Sequence, residues 1–226
     1  MLATTTQAVK HGKNKMNNWP NPKALMHRLL HIKPLPLRQG INGPFIFIHI
    51  NKTAGTSIGR AIGLPIKHHL SAREVIDRIG MDRWNAAYKF TLVRNPWDKV
   101  VSHYEYRRKK NKTELASRNI AFSDWVKMTY GEKKNSFYYD NPRSFQPQVD
   151  WLKDAEGKIS LDYIGKFESI NEDFEHIRKV LGLQATLPHL NASKRASYHS
   201  YYDAETRDIV AHWFREDIRA FGYNFN

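Results

Sequence analysis

The segment Phe45-Ile46-Phe47-Ile48-His49-Ile50 is a short, nearly unbroken run of aromatic and β-branched residues that leads into a Gly/Thr/Ser loop, Asn51-Lys52-Thr53-Ala54-Gly55-Thr56-Ser57. A half-exposed strand alternates apolar with polar side chains; one that does not alternate is buried on both faces, as in a parallel sheet covered by helices. Lys89-Phe90-Thr91-Leu92-Val93 reads as a second buried strand and Asp162-Tyr163-Ile164-Gly165-Lys166-Phe167 as a third. Between and after them lie helical stretches. Ser71 with Glu74 forms a capping-box pattern ahead of Val75, Ile76 and Ile79, predicting a helix over Ala72 to Ile79 that Gly80 stops. Asn95 and Pro96 suit an N-cap and a first helical position, opening a helix through about Arg108. Further helices fit Ser123 to Tyr130, a segment from a Ser169/Glu172 capping box to about Gly182, and Ala204 to Phe221, the last with Ile209, Val210, Trp213, Phe214 and Ile218 on one face. The fold expected is α/β, a P-loop-like three-layer sandwich whose central parallel sheet is covered by helices.

The chemistry concentrates where the first strand meets its loop. Small residues let successive backbone N–H groups turn inward around an anion at a helix N-terminus, where the helix dipole also favours negative charge. The ATP/GTP loop carries its lysine after the last glycine, GxxxxGK[ST]; here Lys52 precedes Gly55 and would meet an anion from the strand side. An ordinary βα turn with a solvated lysine also fits the segment. Arg94 stands at the carboxyl end of the second strand, where open α/β sheets bind ligands, and its planar fork suits a phosphate. Ser102, about two turns into the next helix, is placed to add a neutral donor. The plainer alternative pairs Arg94 with a carboxylate and leaves Ser102 on an exposed helix face.

Composition narrows the partners. The 226 residues carry 36 Lys+Arg against 22 Asp+Glu, a formal charge of +14, and no cysteine. That length fits one large domain, or a domain with a tail. Without cysteine there is no disulfide scaffold, thiol nucleophile, thiolate zinc site or iron–sulfur cluster, and the His, Asp and Glu positions lack zinc-like spacing, so no metal is expected. Every residue before Glu74 is basic or uncharged, which draws anions. Residues 1–43, broken by Asn, Pro and Gly, read as a basic N-terminal arm with one short helix around Ala24 to Leu30, ahead of a domain over 44–226. The basic start is not followed by an apolar h-region, and no window approaches the ~18 apolar residues of a membrane span, so a cytoplasmic protein is expected.

Several separated motifs in order resemble one family, the PAPS-dependent carbohydrate sulfotransferases with a "sulfotransferase family 2" type domain. His49-Ile50-Asn51-Lys52-Thr53-Ala54-Gly55-Thr56-Ser57 looks like its 5′-phosphosulfate loop. Val93-Arg94-Asn95-Pro96-Trp97-Asp98-Lys99-Val100-Val101-Ser102-His103-Tyr104 looks like its 3′-phosphate motif. The likeness continues through His69-Leu70-Ser71-Ala72-Arg73-Glu74, Asp150-Trp151-Leu152, Gly165-Lys166-Phe167-Glu168, Leu187-Pro188-His189-Leu190-Asn191-Ala192-Ser193 and Phe221-Gly222-Tyr223, covering roughly 44–226. Asn51 stands where many members carry proline.

The resemblance implies sulfuryl transfer from 3′-phosphoadenosine 5′-phosphosulfate (PAPS) to a hydroxyl, leaving 3′-phosphoadenosine 5′-phosphate, with a carbohydrate, neutral or anionic, as the expected acceptor. It implies Lys52 and Thr53, Ala54, Gly55, Thr56 and Ser57 at the phosphosulfate, and Arg94 and Ser102 at the 3′-phosphate. Phe167 and Glu168 would approach the adenine, though Phe167 fits the core equally well, and Ser193, Lys194 and Arg195 would close over the 3′-phosphate, though a solvated basic loop fits them nearly as well. His69, just before the helix that follows the loop, takes the role of general base, with His68 its nearest rival. Tyr104, Arg107, Arg108, Lys109 and Lys110 either line an acidic acceptor or form a charged face. Two other classes stand beside this one. A P-loop kinase or NTPase lacks support from a Gly-Lys-Ser/Thr ending or a Walker-B carboxylate; a non-catalytic nucleic-acid binder rests on charge and interleaved aromatics alone.

Overall fold

The computed structural model describes residues 37–40, 42–64, 69–187 and 196–226. The helix expected at Ala24 to Leu30, and His68, Ser193, Lys194 and Arg195, lie outside them. Four strands pair side by side in chain order: β1 (Leu37–Gly40), β2 (Gly43–Ile48), β3 (Tyr88–Val93) and β4 (Tyr163–Lys166). The helices among the described residues are α1 (Gly55–Ala61), α2 (Ala72–Ile79), α3 (Met81–Ala86), α4 (Pro96–Lys109), α5 (Phe122–Tyr130), α6 (Pro142–Phe145), α7 (Val149–Leu152), α8 (Ile170–Leu181), α9 (Ala204–Trp213) and α10 (Arg215–Phe221).

β2, β3 and β4 run parallel, with Phe45 opposite Tyr88, Phe47 opposite Phe90, and Phe90 opposite Tyr163. Paired residues share a face, so the register sorts the side chains into two cores. Ile46, Ile48 and Val93 pack with Val75 and Ile79 of α2, Trp84 of α3 and Trp151 and Leu152 of α7. Phe45, Phe47, Phe90 and Leu92 pack on the opposite side with Ile58 of α1 and Phe174, Ile177 and Leu181 of α8. The apolar run does not alternate because both faces of the sheet are covered. A third core joins α4, α5 and α9 through Val100, Val101, Trp125, Val126 and Val210. No helix among the described residues is long and apolar enough to cross a membrane.

Several local expectations change. β1 lies in the stretch read as an arm and pairs antiparallel with β2, with Gly40 opposite Gly43, whose φ of 121° is open to glycine. Leu37-Arg38-Gln39-Gly40 has no strand-like pattern; it is held through backbone pairing along the sheet edge. The Ser71/Glu74 capping box forms at α2, whereas Ser169 makes no cap bond to its helix. Its hydroxyl donates instead to Asp173, which also accepts the Lys166 N–H, each at 2.7 Å. The helix expected over Ala204 to Phe221 breaks at Phe214 (φ −102°, ψ 23°), separating α9 from α10.

Phe90 is fully buried, with ring neighbours Phe45, Phe47 and Tyr88. Phe90→Ala is expected to lower unfolding free energy by about 3–5 kcal/mol in urea titration.

Candidate active site

β2 ends at Ile48, and the chain turns sharply through a loop in which Lys52 (φ 67°) and Ala54 (φ 64°) both adopt left-handed conformations. Such residues are uncommon outside glycine and orient successive N–H groups toward one point. The buried Thr53 hydroxyl donates to the Ile50 carbonyl at 3.0 Å, tying the turn to itself. The Ser57 N–H donates to Ala54 O at 2.8 Å, while Gly55 and Thr56 open α1, where N–H groups have no intrahelical acceptor. Gly55 is required sterically: a Cβ there would overlap the His49 imidazole.

Arg94 emerges from the end of β3 beside this loop. Its Nη1 donates to the Lys52 carbonyl at 3.1 Å, and its Nε and Nη2 both reach Asp98 Oδ2 at 2.7 Å. The guanidinium lies over the Phe167 ring, 3.8 Å from its centroid. The Arg94 backbone is held as firmly: its N–H donates to Gln148 Oε1 and its carbonyl accepts from Gln148 Nε2, each at 2.9 Å. Gln148 is itself anchored by Asp217, which accepts the Gln148 N–H at 2.8 Å and Nε2 at 3.1 Å.

His69 stands on the other side of the loop. Its Nδ1 is 2.8 Å from the His49 carbonyl, an oxygen that only accepts, so Nδ1 carries the hydrogen and the neutral ring's lone pair lies on Nε2. The two imidazoles are 4.1 Å apart, and Trp151 meets His69 edge-on at 6.0 Å. Burial, and secondarily the nearness of His69, pushes the His49 pKa down to about 3. Arg143 donates from Nη2 to the His69 carbonyl at 3.0 Å and from Nη1 to Glu74 at 2.7 Å, with its guanidinium 4.7 Å from the Trp151 centroid. The Arg143 hydrogen bond is the main reason the Glu74 carboxyl falls to about 2. Asn51, the residue that departs from the family's proline, donates from Nδ2 to the Ser144 carbonyl at 2.8 Å, joining the loop to the segment that carries Arg143.

α4 presents two adjoining stripes. Asp98, Ser102 and Tyr106 recur every four residues along one side, the spacing of a single helix face. One position on, Lys99, His103 and Arg107 are all buried. Burial lowers the Lys99 pKa to about 8, against the pull of Asp217, and holds His103 well below its ordinary value. Arg107 pairs with Asp140 at 2.9 Å, and the Tyr104 hydroxyl donates to the Ile120 carbonyl at 2.8 Å. Tyr104 and Arg107 are therefore interior side chains; Arg108, Lys109 and Lys110 are exposed. No group of three or more His, Asp or Glu among the described residues is placed to hold a metal ion.

The description "Sulfotransferase family" matches residues 42–224, most of the chain. The chain belongs to the sulfotransferase family. An uncharacterized protein of Archaeoglobus fulgidus is 31% identical over 111 residues, 49% of this chain and 81% of that protein. No solved structure matches.

In the sulfotransferase domain Arg94 thus joins the Lys52 loop to Phe167, and His49 joins Gly55 to His69. Ser102 shares the face of α4 that carries Asp98. The Thr53 side chain is turned inward, leaving only its backbone for a ligand. Gln148, Asp217, Arg143 and His49 join these residues only in the folded chain. Gln148 and Arg143 lie in an aromatic and polar stretch without periodicity, so nothing local marks them; the His49 role was detectable only as a histidine in an otherwise apolar strand.

Two outcomes test this geometry. Gly55→Ala should lower unfolding free energy by about 1–3 kcal/mol, and by measurably less in a His49→Ala background, since these neighbours couple directly. Glu74 has its folded pKa depressed from 4.5 to about 2, so its contribution is complete above about pH 4.5 and is lost as pH falls toward 2. The stability gap between wild type and Glu74→Gln, read by urea titration, should be constant from pH 7 to 5 and shrink between pH 4 and 2.

Proposed function

We propose that the domain transfers a sulfuryl group from PAPS to an acceptor hydroxyl, with a carbohydrate as acceptor and His69 as general base. The observation that carries this reading is the Arg94 Nη1 bond to the Lys52 carbonyl, which joins the loop to the arginine of the neighbouring strand. Two cations at the ends of adjacent parallel strands suit a ligand with two separate phosphates, and a flat guanidinium–Phe167 stack suits a planar base nearby. Gly55, which has no Cβ, lets the His49 imidazole pack against the start of α1 and so ties the loop to the strand that precedes it.

Bound there, the donor supplies an SO3 group on its 5′-phosphate. Lys52 brings positive charge to the loop, and the Gly55 and Thr56 N–H groups add fixed donors where negative charge builds on the departing phosphate. Arg94 and Ser102 hold the 3′-phosphate. His69 accepts the acceptor proton at Nε2, the position its Nδ1 bond to His49 O leaves with the lone pair. Arg143 keeps the His69 backbone in place through its bond to the carbonyl. The enzyme acts in the cytoplasm.

In a thermal-shift assay without magnesium, 3′-phosphoadenosine 5′-phosphate should raise the melting temperature, a hundredfold excess over Kd stabilising by ~2.7 kcal/mol. ATP and GTP should do little; equal stabilisation by ATP with magnesium would overturn the reading in favour of a kinase or NTPase. With labelled PAPS and a panel of hydroxylated acceptors, Lys52→Ala should abolish transfer with the fold intact. His69→Ala should lose about 10²–10⁴-fold in turnover, and near-normal turnover would exclude it as the base.

A further inference from the structure

Lys52 is held at two ends by different residues. Its carbonyl accepts from Arg94, while its ammonium lies 4.4 Å from the centroid of the Tyr106 ring, a ring that also faces the Lys112 ammonium at 5.3 Å. Tyr106 belongs to the α4 face of Asp98 and Ser102, one turn beyond Ser102 and two beyond Asp98. That face therefore supplies a partner to each of the two cations: the Asp98 carboxylate to Arg94 and an aromatic π-face to Lys52. A ring is a weaker partner for an ammonium than a phosphate is, and one that a phosphate can displace.

We infer that Tyr106 is a positioning residue for Lys52: it docks the ammonium on its ring, and a phosphate-bearing donor must draw the lysine off that ring in order to engage it. The inference rests on the reading of Lys52 as the donor-facing cation. The ammonium has two seats, one on Tyr106 and one at the 5′-phosphate, and a ligand favours the second only by its differential affinity. An exposed cation–π contact taxes that transfer by about two- to fivefold in the ligand's dissociation constant. Tyr106 is 41% exposed, so replacing it leaves the core of α4 untouched.

The test uses the whole chain with its lysines carrying ¹³C-methyl groups added by reductive methylation, which keeps their charge. Lys52→Arg identifies the Lys52 methyl signal. That signal should sit upfield from the ring current of Tyr106, persist in Tyr106→Phe, and return to the ordinary lysine position in Tyr106→Leu. Saturating 3′-phosphoadenosine 5′-phosphate should move the wild-type signal out of the ring's influence. In calorimetric titrations of unmodified protein, Tyr106→Leu should bind the bisphosphate about two- to fivefold more tightly than wild type, and Tyr106→Phe should match wild type. An upfield signal that survives saturation, or weaker binding by Tyr106→Leu, would overturn the docking role. Absence of any binding by wild type would overturn the cofactor reading and with it the transfer of Lys52 to a phosphate. The ring-current contrast between wild type and Tyr106→Leu would still decide whether Tyr106 holds the lysine.

Discussion

Asp217 is a buried carboxylate in the first turn of α10, and the arrangement of the loops at the ends of β2 and β3 hangs on what it holds. It accepts the backbone N–H groups of Gln148 and Val149, at 2.8 and 2.9 Å, and the Gln148 side-chain amide. Gln148 then grips both backbone groups of Arg94, and Arg94 grips the Lys52 carbonyl. Four segments far apart in sequence are locked by this single relay. Burying a carboxylate is costly unless its oxygens are satisfied, and here burial does push the Asp217 carboxyl upward while its hydrogen bonds and Lys99 pull the other way. Removing one member would strand the next as an unpaired buried polar group, which is why such a chain is rigid.

The histidine pair obeys a related logic on the opposite side of the loop. His49 fills the space that Gly55 leaves, and its carbonyl selects the His69 tautomer. Burial keeps the His49 ring neutral, so it packs against His69 without placing a second positive charge beside the proposed base. Arg143 completes the setting by bonding both the His69 carbonyl and Glu74, the carboxylate of the α2 capping box. A helix-starting motif and a candidate base are thereby braced by one side chain.

Much of the frame was legible in the chain. The helix over Ala72–Ile79, its capping box, the Asn95-Pro96 start of α4 and the buried strands all follow from local patterns strong enough to survive tertiary context. Where the pattern misled, a competing interaction won. Asp173 took the Ser169 hydroxyl that a capping box would have used. Phe214 broke a continuous amphipathic run into α9 and α10. β1 has no side-chain signature because an edge strand is held by backbone bonds that side-chain pattern does not report. Tyr104 and Arg107, polar enough to read as surface, turned inward because Ile120 and Asp140 offered them partners.

By itself the sequence determined the three-layer α/β plan, since unalternating strands can be stable only when both faces are covered, and it pointed to the sulfotransferase family through several separated motifs, among them the loop after β2 and the Arg94 segment after β3. Which side chains meet was decided only in three dimensions. The parallel register of β2 and β3 brings Lys52 and Arg94 to neighbouring strand ends, the helical period aligns Asp98 and Tyr106 under them, and Asp217 reaches Gln148 across 69 positions of chain. Such contacts depend on distances through space, and local propensity and spacing along the chain hold no record of them.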